Sequence, residues 1–347
     1  ETTNTMATRS LHELFTEWKL PEEFTKNMSK RWRCKVVPLA KNEDEIRTAT
    51  LRGDPVLLDP AYAKSVFDVV GPDGLEYLTK DPERNVFPRK KIAFVAGWGR
   101  PGSMLVDDEE LKLVDSFEQV VTADRPLNLQ MFHRDEPEAP RIPRLPEGLQ
   151  WPLPELLDGE MREACDMATR VSAKGAVTWW HLDDGGEFTL QVGLPMREGR
   201  VREPVVRGAT GRPGVKLFIF AAREAYDFIV QDKEANKSHR YAHLDLFRAQ
   251  SHQLPSPGEE CTDDPLPVLQ VALLEAGGAL LLSPPNLPHL VLTLQDCVMV
   301  EQRAIQILFM EEVEYFVERA AHWADPPILY PLIRETLQNE AAAAARV

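Results

Sequence analysis

Cysteine is scarce: four residues in 347, at Cys34, Cys165, Cys261 and Cys297, with no C-x-x-C pair among them. That scatter excludes a disulfide-stapled scaffold and a zinc finger, and it points to a reducing compartment. Long apolar runs are missing too. No segment approaches the roughly 18–20 residues of a membrane span, and residues 1–9 are polar where a signal peptide would carry its apolar core. The chain is therefore expected to be soluble and non-secreted, with no membrane partner; opening on Glu1 rather than Met, it reads as a piece of a longer protein. Positive charge is in deficit, 40 Lys+Arg against 55 Asp+Glu, for a net charge of -15. Phosphate backbones would be repelled, so no direct nucleic-acid partner is expected, whereas a basic peptide or a small anion in a local pocket is compatible.

What is present suffices for a large core, since 43% of the residues are hydrophobic. Residues 1–54 read as a helical preface, in which Ser10 and Glu13 fit a capping box ahead of Leu11, Phe15 and Trp18 at helical spacing. Apolar runs at 55–58 and 92–96 then alternate with helix-like stretches at 61–70 and 108–121, and a Pro-rich, charged connector follows at 136–154. Between 170 and 300 the pattern turns to short β-like runs separated by Gly and Pro: 176–180, 188–192, 216–221, 268–274, 279–282, 290–294 and 298–307. This predicts a mostly-β barrel or sandwich. Two polar inserts interrupt it, one near 197–213 carrying Arg197, Arg200, Arg202, Arg207 and Arg212, the other near 251–265. Residues 308–347 return to a helical pattern, so the expected division is 1–54, a catalytic region 55–307, and a C-terminal helical extension.

The sharpest chemical feature is His181 and Asp183 in T-W-W-H-L-D-D-G-G over 178–186. On a strand, residues i and i+2 share a face, so an imidazole and a carboxylate point together. A 2-His-1-carboxylate site needs one more histidine, and leaves coordination positions open on Fe(II) for a co-substrate and O₂. His289 is the candidate, because it follows a Pro-rich turn between two apolar runs. An H-x-D tripeptide alone occurs by chance in many proteins; its place in an all-β region, with a turn-flanked His about one hundred residues on, is what gives it weight. The pair His239 and His243, four apart in a polar segment, reads instead as a solvated face. Lys216 is the lone charge in G-V-K-L-F-I-F over 214–220. Pointing inward it would demand an anion, since a buried ammonium is costly without one; at a strand start it can equally point outward. Thr178 would add a hydroxyl, although three residues separate it from His181, so both face one way only if the strand breaks its alternation between them.

These residues resemble a known family. The run V-S-A-K-G-A-V-T-W-W-H-L-D-D-G-G over 171–186 is similar to the signature strand of Jumonji-C oxygenases, closest to the F-box-linked and PHD-finger-linked histone lysine demethylases. R-P-L-N at 125–128, G-V-K-L-F at 214–218 and the turn into His289 followed by T-L-Q-D at 293–296 occur in the same order, within a resemblance spanning about 55–322. It implies a double-stranded β-helix of jelly-roll, cupin-like form with flanking N- and C-terminal helices. Fe(II) would be held by His181, Asp183 and His289, and 2-oxoglutarate by Thr178, Lys216 and Asn128. The implied reaction uses O₂ and decarboxylates 2-oxoglutarate while hydroxylating a C–H bond; on N-methyl-lysine the product releases formaldehyde. The implied partner is a basic protein or peptide, such as a histone tail, and the implied location is the nucleus, otherwise the cytoplasm.

The chain also departs from that pattern. Gln191 stands where the branch usually has a tyrosine, Leu287 replaces an aromatic two residues before the second histidine, and the basic insert is longer. The scattered cysteines leave no PHD finger. Two other functions therefore stand beside the demethylase: a hydroxylase of the same chemistry on a non-histone substrate, and a catalytically silent Jumonji-C scaffold. A cupin-like binding protein or isomerase would keep the barrel without needing Lys216.

Overall fold

In a computed structural model of the chain, residues 8–20, 32–74, 76, 91–95, 104–105, 116–132, 167–181, 188–197, 214–221, 268–284 and 287–304 are described. The Pro-rich connector, the insert near 251–265, the other insert beyond Arg197, the paired His239 and His243, and the extension 308–347 lie outside them. The described residues form fourteen strands: β1 (Arg9–Ser10), β2 (Arg33–Val36), β3 (Val56–Leu58), β4 (Lys91–Val95), β5 (Met104–Leu105), β6 (Leu127–Phe132), β7 (Met167–Ser172), β8 (Val177–His181), β9 (Phe188–Gly193), β10 (Val215–Phe220), β11 (Leu269–Glu275), β12 (Leu280–Ser283), β13 (His289–Thr293) and β14 (Cys297–Ala304). All seven β-like runs expected between 170 and 300 are strands, each beginning within one residue of its expected start.

The strands make two sheets, β1-β2-β11-β10-β13-β8 and β3-β12-β9-β14-β7-β6-β4-β5. From β7 to β14 the chain crosses between the sheets at every connection except the one from β10 to β11. The fold is thus mostly β and sandwich-like. Among the described residues no helix is long and apolar enough to cross a membrane.

Residues 1–54, expected as a helical preface, hold helices and also two short strands. Helices do form at Leu11–Glu17 and Glu43–Leu51, but β2 joins the six-stranded sheet parallel to β11, and Val37 N–H donates to the Val271 carbonyl at 2.8 Å. The Ser10 capping box is also absent: the Ser10 side chain makes no capping bond, because its backbone is engaged in the β1–β2 ladder and Leu11 N–H donates to Trp32. A true capping box occurs instead at Ser116 and Gln119, opening the helix Phe117–Thr122. The 61–70 stretch splits into a 3₁₀ turn, Pro60–Ala63, and a helix, Lys64–Val70.

Three layers follow from strand periodicity. Alternate positions of the eight-stranded sheet, Leu129, Val171, Leu190, Val192, Leu280, Leu282, Val298 and Val300, pack in one cluster with Ile46, Val66 and Val120 from three helices. Burying each such side chain contributes about 1.5–3 kcal/mol. A second cluster lies between the sheets, where Phe218, Phe220, Ala272 and Val291 of one meet Leu281 and Met299 of the other. The sheets are stitched at one corner by a parallel bridge between Gly193 and Ala276 and by Gly277 N–H donating to the Gly193 carbonyl at 2.7 Å. A Cβ at Gly193 would lie 2.9 Å from Ala276 Cα and 3.0 Å from the Glu275 carbonyl oxygen, all backbone. Gly193→Ala is therefore expected to cost about 1–3 kcal/mol. A urea midpoint equal to that of the unsubstituted chain would contradict this close approach.

Candidate functional site

Because successive strand residues alternate faces, the positions between those apolar ones point the other way, toward the six-stranded sheet. In the eight-stranded sheet many of them are polar, with Asn128 and Gln130 on β6, Arg170 and Ser172 on β7, Gln191 on β9 and Glu301 on β14, all buried, beside the apolar Leu281 and Met299. From the opposite sheet come Thr178, Lys216, His289 and Val291, and these four with Arg170, Gln191 and Glu301 line one cavity. Its volume is about 10 Å³, roughly the room of one water, so a larger ligand must displace side chains as it enters. Buried polar groups are expensive unless satisfied, and a concentration of them between two apolar layers marks a site rather than a core.

Lys216 points inward. It is 3% exposed, and among the described residues no carboxylate forms an ion pair with it. Burial pushes its ammonium below the ordinary 10.5, against the opposing influence of Cys297; the Arg170 guanidinium adds to the depression and Glu301 resists it. The lysine is thus held in a place that only an anion makes comfortable.

Thr178 and Asn128 meet across the sheets. Asn128 Nδ2 donates to Thr178 Oγ1 at 2.9 Å, and its Oδ1 accepts from Ser172 Oγ at 2.7 Å, which fixes the amide orientation. Asn128 accordingly braces Thr178, whose hydroxyl lines the cavity; Asn128 itself does not. The spacing between Thr178 and His181 shows in the backbone pairing. On β13, His289 and Val291 are two apart, yet they pair with His181 and Thr178, three apart on β8, across a register irregularity. The ladder there departs from regular one-to-one pairing, as at a β-bulge.

His289 is 3% exposed, and its Nδ1 lies 3.0 Å from the Leu287 carbonyl oxygen. That contact, with Nδ1–H donating, leaves Nε2 with the lone pair, which is the arrangement of a metal-ligating imidazole. Phe220 lies against the ring at a centroid separation of 5.7 Å. His181 closes β8 as the pairing partner of His289; its side chain and the whole of Asp183 lie outside the described residues. Among the described residues no three His, Cys, Asp or Glu side chains are grouped to hold a metal.

Two cavity residues escape a sequence reading. Arg170 makes a two-pronged ion pair with Glu301, through Nε to Oε2 and through Nη2 to Oε1 at 2.9 Å. Gln191 is the cross-strand partner of Glu301. In sequence, a charge alternating with valines reads as the wet face of a half-buried strand; here helices cover the apolar face and the polar face is interior. Strands β6 and β7 went unmarked for the same reason, although the alternation in L-N-L-Q-M over 127–131 is a usable signal.

The cavity therefore combines an imidazole, a buried ammonium that forms no carboxylate ion pair among the described residues, and a braced hydroxyl. No protein-family model matches this chain, and no curated protein matches it.

Proposed function

We propose that the chain is an Fe(II)- and 2-oxoglutarate-dependent oxygenase of the Jumonji-C type, acting on N-methyl-lysine in a histone-like or other basic protein tail. The observation that carries the proposal is Lys216, buried in the same cavity as His289 with no carboxylate ion pair among the described residues. A buried ammonium sharing a cavity with an imidazole fits a ligand that chelates a metal at one end and carries a carboxylate at the other. The strand path from β7 to β14, crossing between sheets at all but one connection, supports a double-stranded β-helix.

In this reading His181, Asp183 and His289 hold the iron, and Lys216 with Thr178 receives the far carboxylate. Bound iron and 2-oxoglutarate supply the oxygen chemistry; the chain supplies orientation and a dry setting. Asn128 acts at one remove, by orienting the Thr178 hydroxyl. The inter-sheet cluster of Phe218, Phe220, Leu281 and Leu287, which shares Val291 with the cavity, supplies the apolar part of that setting. The net charge of -15 favours a Lys/Arg-rich partner over a nucleic acid. A nuclear location accompanies the histone substrate and rests on it alone.

The test is to incubate the chain with Fe(II), 2-oxoglutarate, O₂ and matched methylated and unmethylated basic peptides, following succinate and formaldehyde. Both products are expected with methylated peptide. Succinate without formaldehyde would replace the demethylase by a hydroxylase; neither product, with no 2-oxoglutarate bound, would leave a scaffold.

A further inference from the structure

We propose that Arg170, braced by Glu301, is a second cation of the anion pocket, so that a bound carboxylate is shared between Lys216 and the Arg170 guanidinium. The inference rests on the oxygenase reading only for the identity of the anion, the distal carboxylate of 2-oxoglutarate.

The Arg170–Glu301 pair lies between β7 and β14 in the eight-stranded sheet, with side-chain exposures of only 11% and 2%. Pairs so buried contribute little to stability, because desolvating two charges offsets their attraction, and apolar replacements of similar volume often do as well or better. Stability alone thus gives no reason to place this pair on the cavity side, when the opposite face of the same strands is packed with valine and leucine. A ligand does. Arg170 spends its Nε–H and one Nη2–H on Glu301, which leaves three N–H donors, two on Nη1 and one on Nη2. The brace fixes the guanidinium plane, whereas Lys216 has a flexible stem and no such partner among the described residues. A carboxylate has two oxygens, and a fixed fork with a mobile ammonium can satisfy one each.

Charge counting agrees. Arg170, Lys216 and Glu301 together carry one net positive charge within a chain of net charge -15. Glu301 is what allows two cations to coexist in a buried space before an anion arrives. It weakens their mutual repulsion without occupying Lys216.

The experiment is calorimetric titration of 2-oxoglutarate in the presence of Mn(II), with three proteins. For the double variant Arg170→Met/Glu301→Met, which removes the pair at similar volume, at least tenfold weaker 2-oxoglutarate binding is expected, with Mn(II) affinity unchanged. For Glu301→Gln, which keeps the guanidinium and removes its neutralising charge, binding is expected to tighten about threefold or more. A purely structural pair would weaken both variants together, and that result, or a double variant within twofold of the unsubstituted chain, overturns the inference while leaving the oxygenase reading intact. If the unsubstituted chain binds no 2-oxoglutarate, the reading and the inference fall together. The opposite sign expected for Glu301→Gln keeps the test decisive even if the double variant does not fold.

Discussion

Replacing Lys216 by Met is expected to weaken 2-oxoglutarate binding by about 100-fold or more, while making the ligand-free chain more stable. The first effect follows from removing a charge-assisted hydrogen bond, worth about 1.5–3 kcal/mol, and leaving a carboxylate without its buried cation. The second follows from the same burial: an isosteric apolar chain no longer has to desolvate an ammonium. The pH dependence separates this from a generic core effect. The folded-state pKa of Lys216 lies below the ordinary 10.5, so within that window the unfolded chain binds more protons than the folded one. The penalty from Lys216 is fully present below its folded pKa and is relieved as pH rises through the window. The stability advantage of Lys216→Met should therefore shrink with rising pH, as followed by denaturant midpoints. An advantage independent of pH, or undiminished 2-oxoglutarate affinity, would remove Lys216 from the site.

His289→Ala is expected to lower affinity for Fe(II), or for Mn(II) in its place, by well over 100-fold and to stop 2-oxoglutarate turnover. Loss of an outer-shell partner alone typically costs 10–100-fold, and loss of a ligand costs more. The Leu287 carbonyl, which now accepts from Nδ1, would lose its partner, so a modest drop in stability should accompany the loss. Folding and metal binding are separable here because β13, which His289 opens, is held by β8 and β10 on either side. Circular dichroism should stay native while titration shows the metal site gone. Metal bound at undiminished affinity by His289→Ala would exclude the proposed triad.

The β region was legible in the sequence because its strands are apolar runs bounded by Gly and Pro, and such runs report burial directly. His289 and Lys216 could be singled out because each is polar within an otherwise apolar strand. What the pattern misread was polarity that recurs. The charges of Arg170 and Glu301 look like a solvent face, and only the helices Glu43–Leu51, Lys64–Val70 and Phe117–Thr122, packed on the opposite side, turn that face inward. Within the helical N-terminal segment β2 was not legible for a related reason: it is four residues long and gains strand form from a parallel partner more than two hundred residues away.

The sequence by itself determined the mostly-β class, the strand positions between 170 and 300 and the net charge of -15, all from local composition and periodicity, and its resemblance to a known family pointed to the residues worth testing. Only the tertiary structure decided that Lys216 points inward, that the β8–β13 ladder shifts register between Thr178 and His181, that Asn128 braces Thr178 rather than lining the cavity, and that Arg170 and Glu301 share it. Each of those depends on which strand lies beside which, and such pairings are set by packing between residues far apart in the chain.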